Sequence, residues 1–176
     1  LKSINNLNLN KMKNIILSIL LVTFTIGFTN AQSKKVQTKF SIDKIVTNYL
    51  ALKNALTKDE TKAVASAGKT LYATFNAVKT NAIDAKLKKD YLDIAESAKE
   101  NAEHIGDNAG KLDHQREHFV LLSKDINDLI KLFGTKQKLY QDYCPMADEG
   151  KGAIWISEVK EIKNPYYGSN MLTCGS

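Results

Sequence analysis

Between Ser41 and Phe133 the apolar positions recur at intervals of three and four, the repeat of helices that bury one face. Ile42, Ile45, Tyr49, Leu52 and Leu56 form one such stripe, and Val64, Ala67, Leu71, Phe75 and Val78 form a second. Thr57-Lys58-Asp59-Glu60 between them reads as a capping box, with Thr57 accepting a free amide and Glu60 reaching back. Asp84 predicts the N-cap of a third helix, which turns Leu87, Tyr91, Ile94, Ala98, Ala102 and Ile105 inward. Gly106-Asp107-Asn108-Ala109-Gly110 is expected to break it. A fourth helix then carries Leu112, Phe119, Leu122, Ile126, Leu129, Ile130 and Phe133, and Gly134 ends it. No proline interrupts these segments, and short links between long amphipathic helices make neighbours antiparallel. The expected fold class is therefore all-α, an up-down four-helix bundle spanning residues 41–134.

After Gly134 the periodicity stops. Residues 135–176 hold both cysteines, both prolines, the single Trp and four of the seven Tyr. Ala153-Ile154-Trp155-Ile156 reads as a short strand or packed extended segment, and Asn164-Pro165-Tyr166-Tyr167-Gly168 is turn chemistry. A segment this aromatic is expected to pack on the bundle as an irregular tail, so that residues 41–176 form a single domain.

The opposite end has a different pattern. Met12 and Lys13 precede an uncharged apolar run, Ile15 to Phe28, and Thr29-Asn30-Ala31 presents small residues at the end of it. That is the layout of a secretory signal peptide over 12–31, and the run is short of the ~20 apolar residues a membrane span needs. Leu1 to Lys11 is expected to lie upstream of the true start, residues 32–40 form a linker, and no membrane anchor is expected to remain after cleavage. Lys2, Lys11 and Lys13 leave with the leader, so 22 of the 25 basic residues face 19 acidic ones, a net +3. A charge so small and evenly spread does not point to nucleic acid.

The tail's chemistry is that of sulfur. Cys144-Pro145-Met146 and Met171-Leu172-Thr173-Cys174 each pair a thiol with a thioether, ligands that select Cu(I) and similar soft cations. Two cysteines in an exported protein also commonly form a disulfide, and a Cys144–Cys174 bridge would contribute about 3 kcal/mol. Residue types alone leave both open. On the fourth helix His114 and His118 are four apart and share a face, the spacing with which two imidazoles hold one ion. Gln115 points toward the middle of the apolar stripe and calls for a buried hydrogen-bond partner, while Arg116 on the other shoulder can anchor the tail. No nucleophile elbow, phosphate-binding glycine loop, haem attachment motif or HExxH motif is present, and no enzymatic activity is expected.

Four separated segments resemble one family. They are Tyr140 to Ala147, Gly152 to Ser157, Glu161 to Gly168 and Met171 to Gly175, with Gln115 to Phe119 and Leu122-Ser123 matching its fourth-helix segment. The family comprises exported bacterial domains of unknown function, standing alone or fused to periplasmic adaptors of copper/silver RND efflux pumps. The resemblance implies a periplasmic protein that holds Cu(I) or Ag(I) through Cys144, Met146, Met171 and Cys174, and that buffers the ion or delivers it to an efflux adaptor. It makes His118 the first non-sulfur candidate, ahead of His114 and His104. The segment around Cys144 is also similar to short heavy-metal-binding motifs of copper-handling proteins, although no His follows Met146 here. The alternative is a disulfide-clasped helical interaction module of the cell envelope that carries no metal.

Overall fold

The computed structural model describes residues 40–176. The expected leader and its flanks lie outside the described residues. Four helices follow in order: α1 (Asp43–Leu56), α2 (Thr61–Asn76), α3 (Ala85–Asp107) and α4 (Leu112–Phe133). A two-stranded antiparallel hairpin, β1 (Tyr140–Cys144) and β2 (Ala153–Ser157), completes the regular structure, with single 3₁₀ turns at Thr80–Ala82 and Gly168–Asn170. Each helix packs on the next, and α4 also touches α1 and α2, an arrangement consistent with an up-down bundle. Among the described residues, no helix is long and apolar enough to cross a membrane.

The stripes become the core because burying apolar surface is the main favourable term in folding. Ile45, Tyr49, Leu52, Leu56, Val64, Leu71, Ala98, Ile105, Phe119, Leu122 and Ile126 are all essentially inaccessible. Asp84 caps α3 by accepting the Lys86 amide at 2.9 Å, and Gly134 ends α4 with a positive φ of 70°.

One local expectation is corrected and one is refined. The capping box does not form. The Thr57 hydroxyl donates back to the Asn54 carbonyl at 2.8 Å, Glu60 makes no side-chain cap, and Asp59 turns left-handed (φ 61°). That turn releases the Asp59 carboxylate to bind Arg116 and Ser169. The break expected over Gly106–Gly110 is present, with α3 ending at Asp107, although Gly106 itself is still helical. It lies against Gly68 of α2, where a Cβ would meet the Gly106 nitrogen at 2.8 Å and the Ala102 carbonyl oxygen at 2.9 Å. The two glycines let α2 and α3 approach backbone to backbone, and Gly110 (φ 89°) makes the turn instead.

The tail lies on the bundle. Trp155 and Tyr166 are buried edge to face, and Tyr166 reaches Phe119 of α4. Arg116 donates to the Pro165 carbonyl at 3.0 Å. The Tyr49 hydroxyl joins Ser123 and the Ile156 amide, a link from α1 through α4 to β2.

Candidate metal centre

On α3, Ser97, Asn101 and His104 stand at i, i+4 and i+7, so they share one face. On α4, His114, His118 and Asp125 stand at i, i+4 and i+11 and likewise share one face. The two helices run antiparallel, for Ser97 meets Asp125 while Asn101 meets His118. The polar positions therefore align into a seam, and its end at the α3–α4 turn gathers the three histidines. Among the described residues, His104, His114 and His118 form the group of three potential metal-ligating side chains whose ligand atoms all lie within 4.8 Å of one another. The rings of His104 and His118 stack at 4.4 Å between centroids, and His114 stands edge-on to His118 at 4.6 Å.

An ion held by imidazole nitrogens at about 2.0–2.1 Å in a tetrahedral site places those nitrogens about 3.4 Å apart. The cluster must close by up to about 1.4 Å to reach that spacing. His104 is exposed, so its side chain is free to turn into place. The electrostatics favour a cation. Burial depresses the His118 pKa, and the neighbouring His104 and His114 lower it further, which keeps the ring neutral and its lone pair available. The carboxylates of Glu117 and Glu100 act on the same ring in the opposite sense, supplying negative charge around the cluster. The His114 Nδ1 lies 3.2 Å from a Glu117 carboxylate oxygen. Among the described residues no fourth His, Cys, Asp or Glu joins this group, and three imidazoles of this kind make an open site suited to zinc, copper or nickel ions.

The sulfur-bearing residues lie elsewhere. Cys144 ends β1 and is fully buried, Cys174 is half-buried, and both are free thiols. Met146 and Met171 are exposed, at 40 % and 37 %. Their backbones are drawn into one region. Tyr143 and Ser176 exchange two backbone hydrogen bonds (2.9 and 3.0 Å), which lays the last residues alongside β1. The buried Asn164 side chain donates to the Cys174 carbonyl at 2.8 Å, and the Tyr167 hydroxyl donates to the Met146 carbonyl at 2.8 Å. His118 points instead to α3. Arg116, two residues earlier and so about 200° around the helix, is the side chain that faces the tail. Gln115 is wholly buried, accepting from the Thr61 hydroxyl (2.7 Å) and donating to the Thr61 and Ile105 carbonyls (both 3.1 Å), which ties the α3–α4 turn to the start of α2.

Sequence reasoning singled out the His114/His118 pair, ranked His104 below it, and passed over Asn101, Ser97 and Asp125. The available signal was two polar residues, Ser97 and Asn101, four apart beside the inward Ala98 and Ala102.

The chain belongs to a family described as protein of unknown function (DUF3347), whose model matches residues 45–138. The match contains all three histidines and Asn101 and ends before β1. No curated protein and no solved structure matches the chain.

Proposed function

We propose that this DUF3347 member is a metal-ion capture protein of the periplasm that binds a copper-class cation at His104, His114 and His118, and buffers it or passes it to an efflux adaptor. The observation that carries the reading is the convergence of three imidazoles from two helices to within 4.8 Å. Capture and release require no bond-making beyond coordination, in keeping with a chain that offers no nucleophile–base pair by motif. The leader-like segment at 12–31 and the family resemblance of the tail supply the cellular setting. Protons compete with the ion for the ring nitrogens, so affinity should fall as pH drops below the imidazole range.

Titration of the purified protein with Zn(II), a redox-silent probe for imidazole sites, against a chromophoric chelator tests this directly. One equivalent should bind, and changing all three histidines to Ala should weaken uptake by at least about 100-fold. Equal uptake by the two proteins would refute the assignment.

A second reading, Cu(I) or Ag(I) held by Cys144, Met146, Met171 and Cys174, is favoured by the free thiols and by the backbone bonds that gather the tail around Asn164 and Tyr167. It predicts that a Cys144→Ser/Cys174→Ser variant loses Cu(I) uptake while keeping Zn(II) uptake. Thiol counting that finds the pair fully oxidised would favour the disulfide-clasped interaction module.

A further inference from the structure

We propose that Asn101 is the positioning residue of this centre: its carboxamide oxygen holds the His118 ring with Nδ1 protonated, leaving Nε2 as the nitrogen that meets the ion. The proposal rests on the reading of the three histidines as a metal site and deepens it.

The direction of the hydrogen bonds carries the argument. Asn101 Nδ2 lies 2.9 Å from the Ser97 carbonyl oxygen, which can only accept, so this end of the carboxamide must be the NH₂. Turning the amide over would set two acceptor oxygens against each other. Oδ1 is thereby left facing His118 Nδ1 at 2.9 Å, and an acceptor there requires a proton on Nδ1. The Ser97 hydroxyl donates to Asp125 Oδ2 at 2.7 Å, so its lone pairs face the Asn101 amide, 3.5 Å away. Every donor and acceptor in the line Asp125–Ser97–Asn101–His118 thus has one allowed role. Asn101 and Asp125 are buried, Ser97 and His118 are half-buried, and α3 and α4 hold the four from both sides.

Without a partner a neutral imidazole divides its proton between two nitrogens, and a metal must select the correct tautomer and ring orientation. A ligating histidine whose other nitrogen is already committed avoids that selection, and loss of such a partner weakens metal binding by about 10–100-fold. His114 repeats the arrangement with Glu117 on its Nδ1, at the exposed rim of the site. The cluster accordingly has one ligand held from the interior, one held at the surface, and His104 free to close on the ion.

The experiment compares the full chain with Asn101→Leu, which removes the acceptor at similar volume, and Asn101→Asp, which restores one. Ring-nitrogen NMR of the metal-free proteins at about pH 8 reads the His118 tautomer, and competition with a chelator reads Zn(II) affinity. Thermal melts of the metal-free proteins report folding separately. The expected result is the Nδ1–H tautomer in the wild type and in Asn101→Asp, whose Zn(II) affinity should stay well above that of Asn101→Leu, the cost of setting its second oxygen against the Ser97 carbonyl appearing in the thermal melt. Asn101→Leu should show a mixed tautomer and 10–100-fold weaker binding. An Nε2–H tautomer in the wild type would overturn the proposal even if Asn101→Leu fails to fold, and so would an Asn101→Leu protein that keeps wild-type affinity. If the wild type binds Zn(II) no better than the triple-His variant, the metal-site reading itself fails, a result separate from either.

Discussion

Between Ser97 and Asp125 the molecule holds its polar side chains in a seam between two long helices; between Tyr140 and Ser176 it holds them in a hairpin and turns wrapped round a tryptophan. In the seam, the partners of Asn101, His118, Ser97 and Asp125 account for one another. The tail is less well satisfied. Asp142 and Trp155 face each other across the hairpin, and Asp142 Oδ2 and Trp155 Nε1 are two of the buried polar atoms without a partner among the described residues. Helices supply repeated positions at fixed spacing, so a seam can be tuned by single substitutions. The tail has no such repeat and depends on a few anchors, Trp155, Tyr166, Asn164 and Arg116. If ion capture belongs to the seam, as proposed, it should be separable from the tail's contribution to stability.

The largest test of that separation is Trp155→Ala. Emptying a fully buried tryptophan site should cost about 3–5 kcal/mol, read from denaturant midpoints. Zn(II) affinity of the folded fraction should stay within a few-fold of wild type. A drop of more than tenfold would show that tail and seam are coupled and would break the comparison.

A smaller effect is expected from the helix side. Gly68→Ala places a methyl group 2.8 Å from the Gly106 backbone nitrogen, an overlap that only a shift of α3 relieves, at about 1–3 kcal/mol. Because His104 lies two residues before Gly106, this variant should lose Zn(II) affinity along with stability. Gly106→Ala meets Lys69 Cγ at 2.8 Å, which a χ1 rotation can relieve, and its backbone contact, the Lys69 nitrogen, is longer at 3.1 Å, so its effect on both quantities should be milder. Equal effects from the two would argue against backbone contact as the control on His104.

The same contrast explains what could be read in advance. The helices followed from period, because Ile45, Tyr49, Leu52 and Leu56 fall on one face in any helix of that sequence. His114 and His118 followed from spacing on one helix. His104 could not be placed, since its approach depends on how the short turn through Gly110 aligns α3 with α4. Asn101 had only its four-residue spacing from Ser97 as a signal, and a buried Asn beside alanines resembles any satisfied core residue. The break over Gly106–Gly110 was legible from its glycines, but the close packing of Gly106 against Gly68 was not, since it depends on how α2 meets α3. In the tail, β2 was legible from Ala153 to Ile156. Its partner β1 was not, since Tyr140-Gln141-Asp142-Tyr143-Cys144 has no clean apolar alternation.

The smallest expected effect is a gain. Asp142 is buried, its Oδ2 has no partner, and burial raises its pKa above 3.8, against the opposing pull of the nearby Lys53. Lys53 already has Glu158 at 2.8 Å and does not depend on Asp142 for a counter-charge. A carboxyl whose pKa is higher folded than unfolded favours the native state below pH 3.8, and that advantage is lost as pH rises through the folded value. At pH 7 the charged form is a liability, so Asp142→Asn should stabilise the protein by about 1 kcal/mol, the scale of one poorly satisfied buried polar group. Melting temperatures measured from pH 7 down to pH 4 should show the gap between variant and wild type narrowing as Asp142 takes up its proton. An Asn variant less stable at pH 7 would mean that Asp142 and Lys53 form a net favourable pair. The tail's polar groups would then be as well matched as those of the seam.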